Sequence, residues 1–231
     1  MACIYLRYYC SQYNCMFASV QLQCYLYINK KNIFYINNTL NFGGYIMKNK
    51  ETVLKLAEKS DSFFLYDEST ILADIKKLKN SFPGIEILYS VKSNPHPQVV
   101  STVFSQGLGS DEASLKEVMI SKENKLPKEQ IFFSAPGKND LSIKESIDDC
   151  ILVADSLSEI ERINAIAKEL GKKVEIGVRI NPDFTFTADE GSPSKFGIDE
   201  KKLFDQMPAI NNMENITVTG MHIHLKSQEL Q

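Results

Sequence analysis

From Phe63 to His224 the chain repeats one pattern: a short apolar run, then a stretch with apolar residues at helical spacing. The runs are "FFLYD", "IEILYSVK", "GLGSD", "QIFFSA", "CILVADS", "KKVEIGVRINPD" and "NITVTGMHIHL". After the first run, Asp67 can cap a helix whose Ile71, Ile75, Leu78 and Phe82 fall on one face. Lys76, Lys77 and Lys79 crowd its C-terminal end, as the helix dipole prefers, and Pro83-Gly84 stops it. The best-signalled helix opens on a capping box, Ser156 with Glu159. Its stripe is Ile160, Ile163, Ala167 and Leu170, and Gly171 is its stop. Regular strand–helix alternation implies a parallel sheet with helices outside, because each crossover must return the chain to the same end of the sheet. The expected fold class is therefore α/β, with six barrel-type strands: a doubly wound sheet or a β/α barrel. No GxGxxG follows the first strand, which removes the main support for a dinucleotide-binding sheet. No sequence repeat and no low-complexity linker is evident.

The 231 residues suffice for one large domain or two small ones. A formal charge of −3 argues against a nucleic-acid or membrane-surface partner, both of which usually need a basic patch. No run of about 18 apolar residues is present to suggest a spanning helix. The first 46 residues differ from the rest. They hold Cys3, Cys10, Cys15 and Cys24, with only Cys150 elsewhere, and eight of the ten tyrosines. They show neither helical nor strand periodicity and no secretory pattern. Their Tyr, Asn, Ile, Lys and Phe residues have AT-rich codons, and "GGYIM" can encode a bacterial ribosome-binding sequence, a spacer and a start at Met47. Residues 1–46 are thus expected to be a non-native or disordered extension from a mis-assigned start, and residues 47–231 the barrel portion. A genuine but unusual extension is the alternative. A disulfide-stapled leader conflicts with the remainder, which reads as a cytoplasmic enzyme.

The unusual polar residues fall at strand ends. Lys92 closes "IEILYSVK", Asp111 closes "GLGSD", Ser134 follows "QIFF" and Asp155 follows "CILVA". Arg179 and Asn181 close "VEIGVRIN", and His222 and His224 close "TVTGMHIH". In a β/α barrel all strand C-termini meet on one rim, where active sites form. Each residue has a plain reading of its own: Lys92 a solvated strand exit, Asp111 a helix cap, Arg179 a surface ion pair, either histidine a core residue. Their convergence carries more than any member. A lysine whose amine is partly desolvated attacks a carbonyl more readily, because burial lowers its pKa. There is no HExxH or cysteine cluster, and the two histidines lack further ligands, so no metal is expected. GxSxG is absent as well. An amine, a stacking histidine and an anion-binding serine suit a phosphorylated aldehyde, pyridoxal 5'-phosphate.

The segments "YSVKSNPHP", "GLGSDEASLKE", "SAPGK", "RINPD", "SKFGI" and "GMHIHLKSQ" resemble, in order and spacing, the fold-type III pyridoxal-phosphate decarboxylases acting on diaminopimelate, ornithine and arginine. The resemblance runs from about Phe63 to Gln228. It implies an alanine-racemase-like TIM-type (β/α) barrel, here incomplete and without the family's C-terminal β-domain. It makes Lys92 similar to the Schiff-base lysine, His224 to the histidine stacked on the cofactor ring, and Ser227 to the serine that binds the phosphate. Asp111 and Arg179 resemble rim residues beside the lysine and the ring, and Lys195 a lysine on a mobile loop near the substrate. The implied activity is decarboxylation of an amino acid, with meso-diaminopimelate, giving lysine, as the leading substrate. The alternatives are another amino acid (ornithine, arginine or one bound to a carrier) or an inactive cofactor-binding fragment. The family implies a homodimer when full length. Two features depart from the family. Lys226 stands where the family usually has glycine, and the glycine-rich phosphate loop, the acid for the pyridine nitrogen and the proton-donating cysteine have no counterpart. Cys150 is expected in a mid-barrel strand and cannot replace that cysteine.

Overall fold

The computed structural model describes residues 66–183 and 194–224, together with short backbone segments between residues 16 and 64. Those segments include β1 (Met16–Ala18), β2 (Tyr27–Asn29), β3 (Tyr35–Ile36), β4 (Thr39–Phe42), β5 (Tyr45–Ile46) and β6 (Ser62–Phe64). The chain forms two units, Gln23–Ile71 and Met1–Leu22 with Leu72–Gln231. In the first unit β2 pairs antiparallel with β6, and β3, β4 and β5 form an antiparallel meander. The "FFLYD" run thus yields a strand, β6, that stands outside the parallel sheet. Helix α1 (Glu68–Ser81) follows, opened by Asp67, whose carboxylate accepts the Thr70 N–H at 3.1 Å.

The second unit alternates as the sequence implies. Its elements are β7 (Leu88–Ser90), α2 (Pro97–Ser105), β8 (Gly109–Glu112), α3 (Leu115–Glu123), β9 (Ile131–Phe133), α4 (Asp140–Ser146), β10 (Ile151–Ala154), α5 (Leu157–Glu169), β11 (Val174–Asn181), β12 (Ile198–Asp199), α6 (Glu200–Asn211) and β13 (Ile216–Ile223). The strands lie in the order β1-β13-β11-β10-β9-β8-β7, with short β12 beside β11, and every pairing in this sheet is parallel. Six strands therefore stand in chain order across the sheet, the arrangement of a β/α barrel rather than of a doubly wound sheet, whose order reverses midway.

The period of two separates the faces of the sheet. Phe133, Leu152, Ala154, Ile176 and Val178 pack with Ile143, Ile147, Ile160, Ile163 and Leu203 of the helices into the main core. The opposite face carries Leu88, Phe132, Ile151 and Val153 as a smaller cluster. Gly109 sits between Leu88 and Gln130, and a Cβ there would stand 2.5 Å from Leu88 Cδ2 and 2.7 Å from the Gln130 carbonyl. The register between β11 and β13 shifts at Ile176/Gly177. Before the shift Ile176 faces Val218; after it Val178 faces Met221 and Arg179 faces His222. Simple alternation along β13 would put His222 on the helix-packed face of Ile216 and Val218. The bulge instead turns His222 to the site face, a role bulges often serve.

Two helices share one start. "SLKE" and "SLSE" begin α3 and α5, a local repeat within a sequence that shows no longer one. Ser114 caps Glu117 N–H, and the Glu117 carboxylate takes the Ala113 N–H at 2.7 Å. Ser156 caps Glu159 N–H, and the Glu159 carboxylate takes the Asp155 N–H at 2.8 Å. Cys150 is not within a strand as expected. It immediately precedes β10, at the end away from the rim, with its thiol on the Ser146 carbonyl at 3.3 Å. Burial pushes that thiol up to about 12, so it stays protonated and inert.

Candidate functional site at the strand C-termini

Parallel strands bring their C-terminal ends to one rim, and the site-facing residues there are polar. Ser90 ends β7. After it Val91–Ser93 makes one tight 3₁₀ turn that carries Lys92. The turn is fixed by Asn94 N–H on the Val91 carbonyl at 3.1 Å, Ser93 Oγ on the Ser90 carbonyl at 2.7 Å and Tyr89 OH on the Asn94 carbonyl at 3.0 Å. Pro95 keeps Asn94 extended and ends the turn. Lys92 therefore lies just past its strand, and it is exposed. The turn thus carries Lys92 off the buried strand.

Asp111 is 4% exposed on β8. Ser90 Oγ donates to its carboxylate at 3.2 Å and Ser134 Oγ at 2.5 Å, so three neighbouring strands meet on one acid. It is not a helix cap; Ser114 fills that place. Nor is Arg179 a surface group. Its Nη1 donates to Asp155 Oδ1 at 3.1 Å, and the two side chains are only 12% and 10% exposed. The Phe196 ring also lies against the guanidinium, with its centre 4.8 Å from Cζ. Gly197 permits that approach. It adopts φ +82°, and a Cβ there would stand 3.0 Å from backbone atoms of Ile180 and Asn181. Pairing of Ile180 with Ile198 holds the segment against β11. Lys195 is exposed, with its ammonium 5.0 Å over the other end of this arrangement, the same Phe196 ring.

His222 is buried and His224 half-buried. Burial, then the charges of Arg179 and Lys92, holds His224 below the ordinary imidazole value, against the pull of Asp111. Burial holds His222 well below that value too, and Arg179, His224, Lys138 and Lys92 add to it. Both rings are thus neutral near pH 7, flat and uncharged. The same interactions carry a geometric message. Lys92 follows the strand at one end of the six and His224 the strand at the other, yet each lies within electrostatic reach of the other.

Lys92, Asp111, Arg179, His222 and His224 thus all lie at the C-terminal ends of strands of one parallel sheet, and the charges of Arg179, Lys92 and Asp111 act on His224. Ser227 and Lys226 lie outside the described residues. Three participants carried no role in the sequence reading. Phe196 sat unremarked inside "SKFGI". Sequence alone gives Glu159 a role only as a helix cap and Lys138 only a place in "SAPGK". One signal pointed to Lys138: it directly precedes Asn139, the cap of α4, and a cation at a helix N-terminus opposes the helix dipole unless another partner holds it. Among the described residues no three His, Cys, Asp or Glu side chains gather closely enough to hold a metal ion, and no helix is long and apolar enough to cross a membrane.

The family model described as pyridoxal-dependent decarboxylase, pyridoxal binding domain, matches residues 68–231. A diaminopimelate decarboxylase of Aquifex aeolicus is 30% identical over 174 residues, covering 72% of this chain and 41% of that protein. An L-glutamyl-[BtrI acyl-carrier protein] decarboxylase of Niallia circulans is 29% identical over 175 residues, covering 73% and 41%. The solved diaminopimelate decarboxylase of M. jannaschii, in complex with L-lysine, superposes with a TM-score of 0.70 at 25% identity, over 87% of this chain and 50% of that one. The chain spans less than half the length of these two curated relatives.

Proposed function

The chain belongs to the pyridoxal-dependent decarboxylases, through their pyridoxal-binding domain, and from that premise we propose that it is the cofactor-holding barrel portion of an enzyme that removes the α-carboxylate of an amino acid. The observation that carries this reading is that an exposed primary amine, Lys92, and a neutral imidazole, His224, both stand past strand C-termini of one parallel sheet, with the lysine charge acting on the imidazole. The donor set fits pyridoxal 5'-phosphate. Lys92 offers an amine for its aldehyde, and His224 a flat face for its ring. The Asp111 carboxylate is oriented by Ser90 and Ser134, and Arg179 is paired with Asp155 and contacts the Phe196 ring. When bound, the cofactor supplies a conjugated, electron-withdrawing ring that takes up the electron pair left as carbon dioxide departs. The residues of the chain do the rest. Lys92 tethers, His224 fixes the plane, and a neutral His224 does so without adding charge beside Lys92. Orientation of this kind supplies a large part of the rate. Ser227 is the phosphate contact in this reading, and Lys195, beside Phe196 and Arg179, the substrate-side lysine.

The substrate proposed is meso-diaminopimelate, giving lysine, on the similarity to the Aquifex aeolicus enzyme. The near-equal similarity to the decarboxylase of a carrier-bound glutamyl group favours a second reading, a carrier-bound amino acid, and Lys226 in place of the usual glycine is consistent with a changed substrate. We also propose that the full-length protein is a cytoplasmic homodimer and that the 231-residue chain alone binds the cofactor without turnover. The test of the central reading is chemical. Borohydride reduction of the chain with pyridoxal phosphate should fix the cofactor on the peptide containing Lys92, and Lys92→Ala should abolish the absorption band of the bound cofactor. Fixation on Lys195 or Lys226 instead would overturn it. Carbon dioxide release by the full-length gene product from diaminopimelate, and not from a carrier-bound amino acid, would decide between the substrates.

A further inference from the structure

Beneath the rim lies a buried ion pair. Lys138 is 3% exposed; its ammonium donates to the Val153 carbonyl at 2.8 Å and to the Ala135 carbonyl, and it forms an ion pair with the Glu159 carboxylate at 3.0 Å. These belong to α5, β10 and the exit of β9. The second Glu159 oxygen accepts the Asp155 N–H at 2.8 Å. Asp155 in turn holds Arg179 at 3.1 Å. The four residues form one connected line from the barrel wall to the rim. A buried ion pair is seldom the most stabilising choice, since apolar residues of similar size often do as well. Its place in this line, and not its stability, distinguishes it.

We propose that Lys138 and Glu159 are positioning residues for Arg179, acting through Asp155. One oxygen of the Glu159 carboxylate is held toward the lysine by the ion pair while the other accepts from the Asp155 backbone. That fixes the backbone from which the Asp155 side chain reaches Arg179. Arg179 is the leading charge acting on His224, so its placement is readable in the titration of that ring. The groups facing His224 are Arg179 from β11, Lys92 from the turn after β7, Asp111 from β8 and His222 from its own strand.

The test follows the imidazole signals by NMR in the cofactor-free chain. His96, His222 and His224 are its three histidines, and exposed His96 serves as the control. Glu159→Gln loses the charge that pairs with Lys138, and its one amide oxygen cannot face both the ammonium and the Asp155 N–H. Lys138→Met removes the other half of the pair. If the pair positions Arg179, both variants release it, and the His224 midpoint rises by about half a pH unit in each, as it does in Arg179→Met. In an Arg179→Met background neither variant adds to that rise, and Lys138→Arg restores the wild-type midpoint. A pair that acted only by its charge would move His224 in opposite directions in the two variants, and that result overturns the proposal. So does an unchanged midpoint in folded Glu159→Gln, or loss of folding in both Glu159→Gln and Lys138→Met, which would assign the pair to core stability. The importance of Arg179 to a cofactor rests on the function proposed above. The titration does not: failure of pyridoxal phosphate to attach to Lys92 defeats that function and leaves this test standing.

Discussion

Glu112 is next to Asp111 in sequence and opposite to it in the fold. Asp111 turns to the site, while Glu112 turns to the helices, fully buried, and accepts a short hydrogen bond from Ser121 of α3. Burial, opposed in part by the Ser121 and Ser110 hydroxyls, raises its carboxyl from 4.5 to about 8. The unfolded chain releases this proton near 4.5, whereas the folded chain keeps it until about 8. Between those values the folded state binds more protons, so Glu112 makes stability fall as pH rises through this window. Glu112→Gln removes that slope. Urea unfolding at pH 5 and pH 9 should show the variant gaining at least about 1 kcal/mol on the wild type at the higher pH; an equal difference at both values would mean that Glu112 is ionised in the fold. Sequence reasoning ended the strand at Asp111 and so missed this acid. Alternation assigns the two residues to opposite faces only once both are known to be in the strand.

Helices were the elements most readable from residues alone, because caps, stripes and stops are local. Ser156 and Gly171 mark the two ends of their helix as read, the glycine with φ of +65°. Replacing Ser114 or Ser156 by Ala should each cost about 1 kcal/mol in chemical denaturation, the usual worth of an N-cap serine; no change in either would deny its box a role. What sequence could not supply is pairing. The bulge that turns His222 to the site depends on two strands far apart in the chain, as does the β12 pairing that lays Phe196 on Arg179. Gly109 belongs to the same class. Nothing in "GLGSD" says that Leu88 and the Gln130 carbonyl press against its α-carbon. Because one neighbour is backbone, the clash cannot be relieved by a rotamer change. Gly109→Ala should therefore lower stability by about 1–3 kcal/mol, as overpacking does, and a variant as stable as wild type would show that the β8–β9 contact is loose.

Across the whole molecule, the alternating pattern was sufficient for the sheet and its rim, since a parallel sheet gathers its strand ends without any tuning of loops. It left the N-terminal stretch open. Met16–Ala18 pairs with Met221–Ile223 over three residues, whereas β11 pairs with β13 over seven. The short ladder adds little to a strand already held on its other side, so a chain beginning at Met47 should keep the α/β unit, with an unchanged far-UV spectrum and an equal yield of cofactor fixed on Lys92. A large loss of solubility would show that the first 46 residues are part of the fold. Turnover is a separate matter. The relatives named for decarboxylation are matched over only 41% of their length. The residues proposed for the site include no thiol, and Cys150, the cysteine among the described residues, is buried, protonated and at the far end of β10. A group that delivers a proton in the rate-limiting step typically carries orders of magnitude in rate. Among the described residues β7 also pairs on one side only, and such an open strand edge invites association. The 231-residue chain should accordingly take up pyridoxal phosphate on Lys92 and yet release no carbon dioxide from diaminopimelate, ornithine or arginine beyond the uncatalysed rate. Multiple turnovers of any of the three by the purified chain would place the complete catalytic apparatus within these residues.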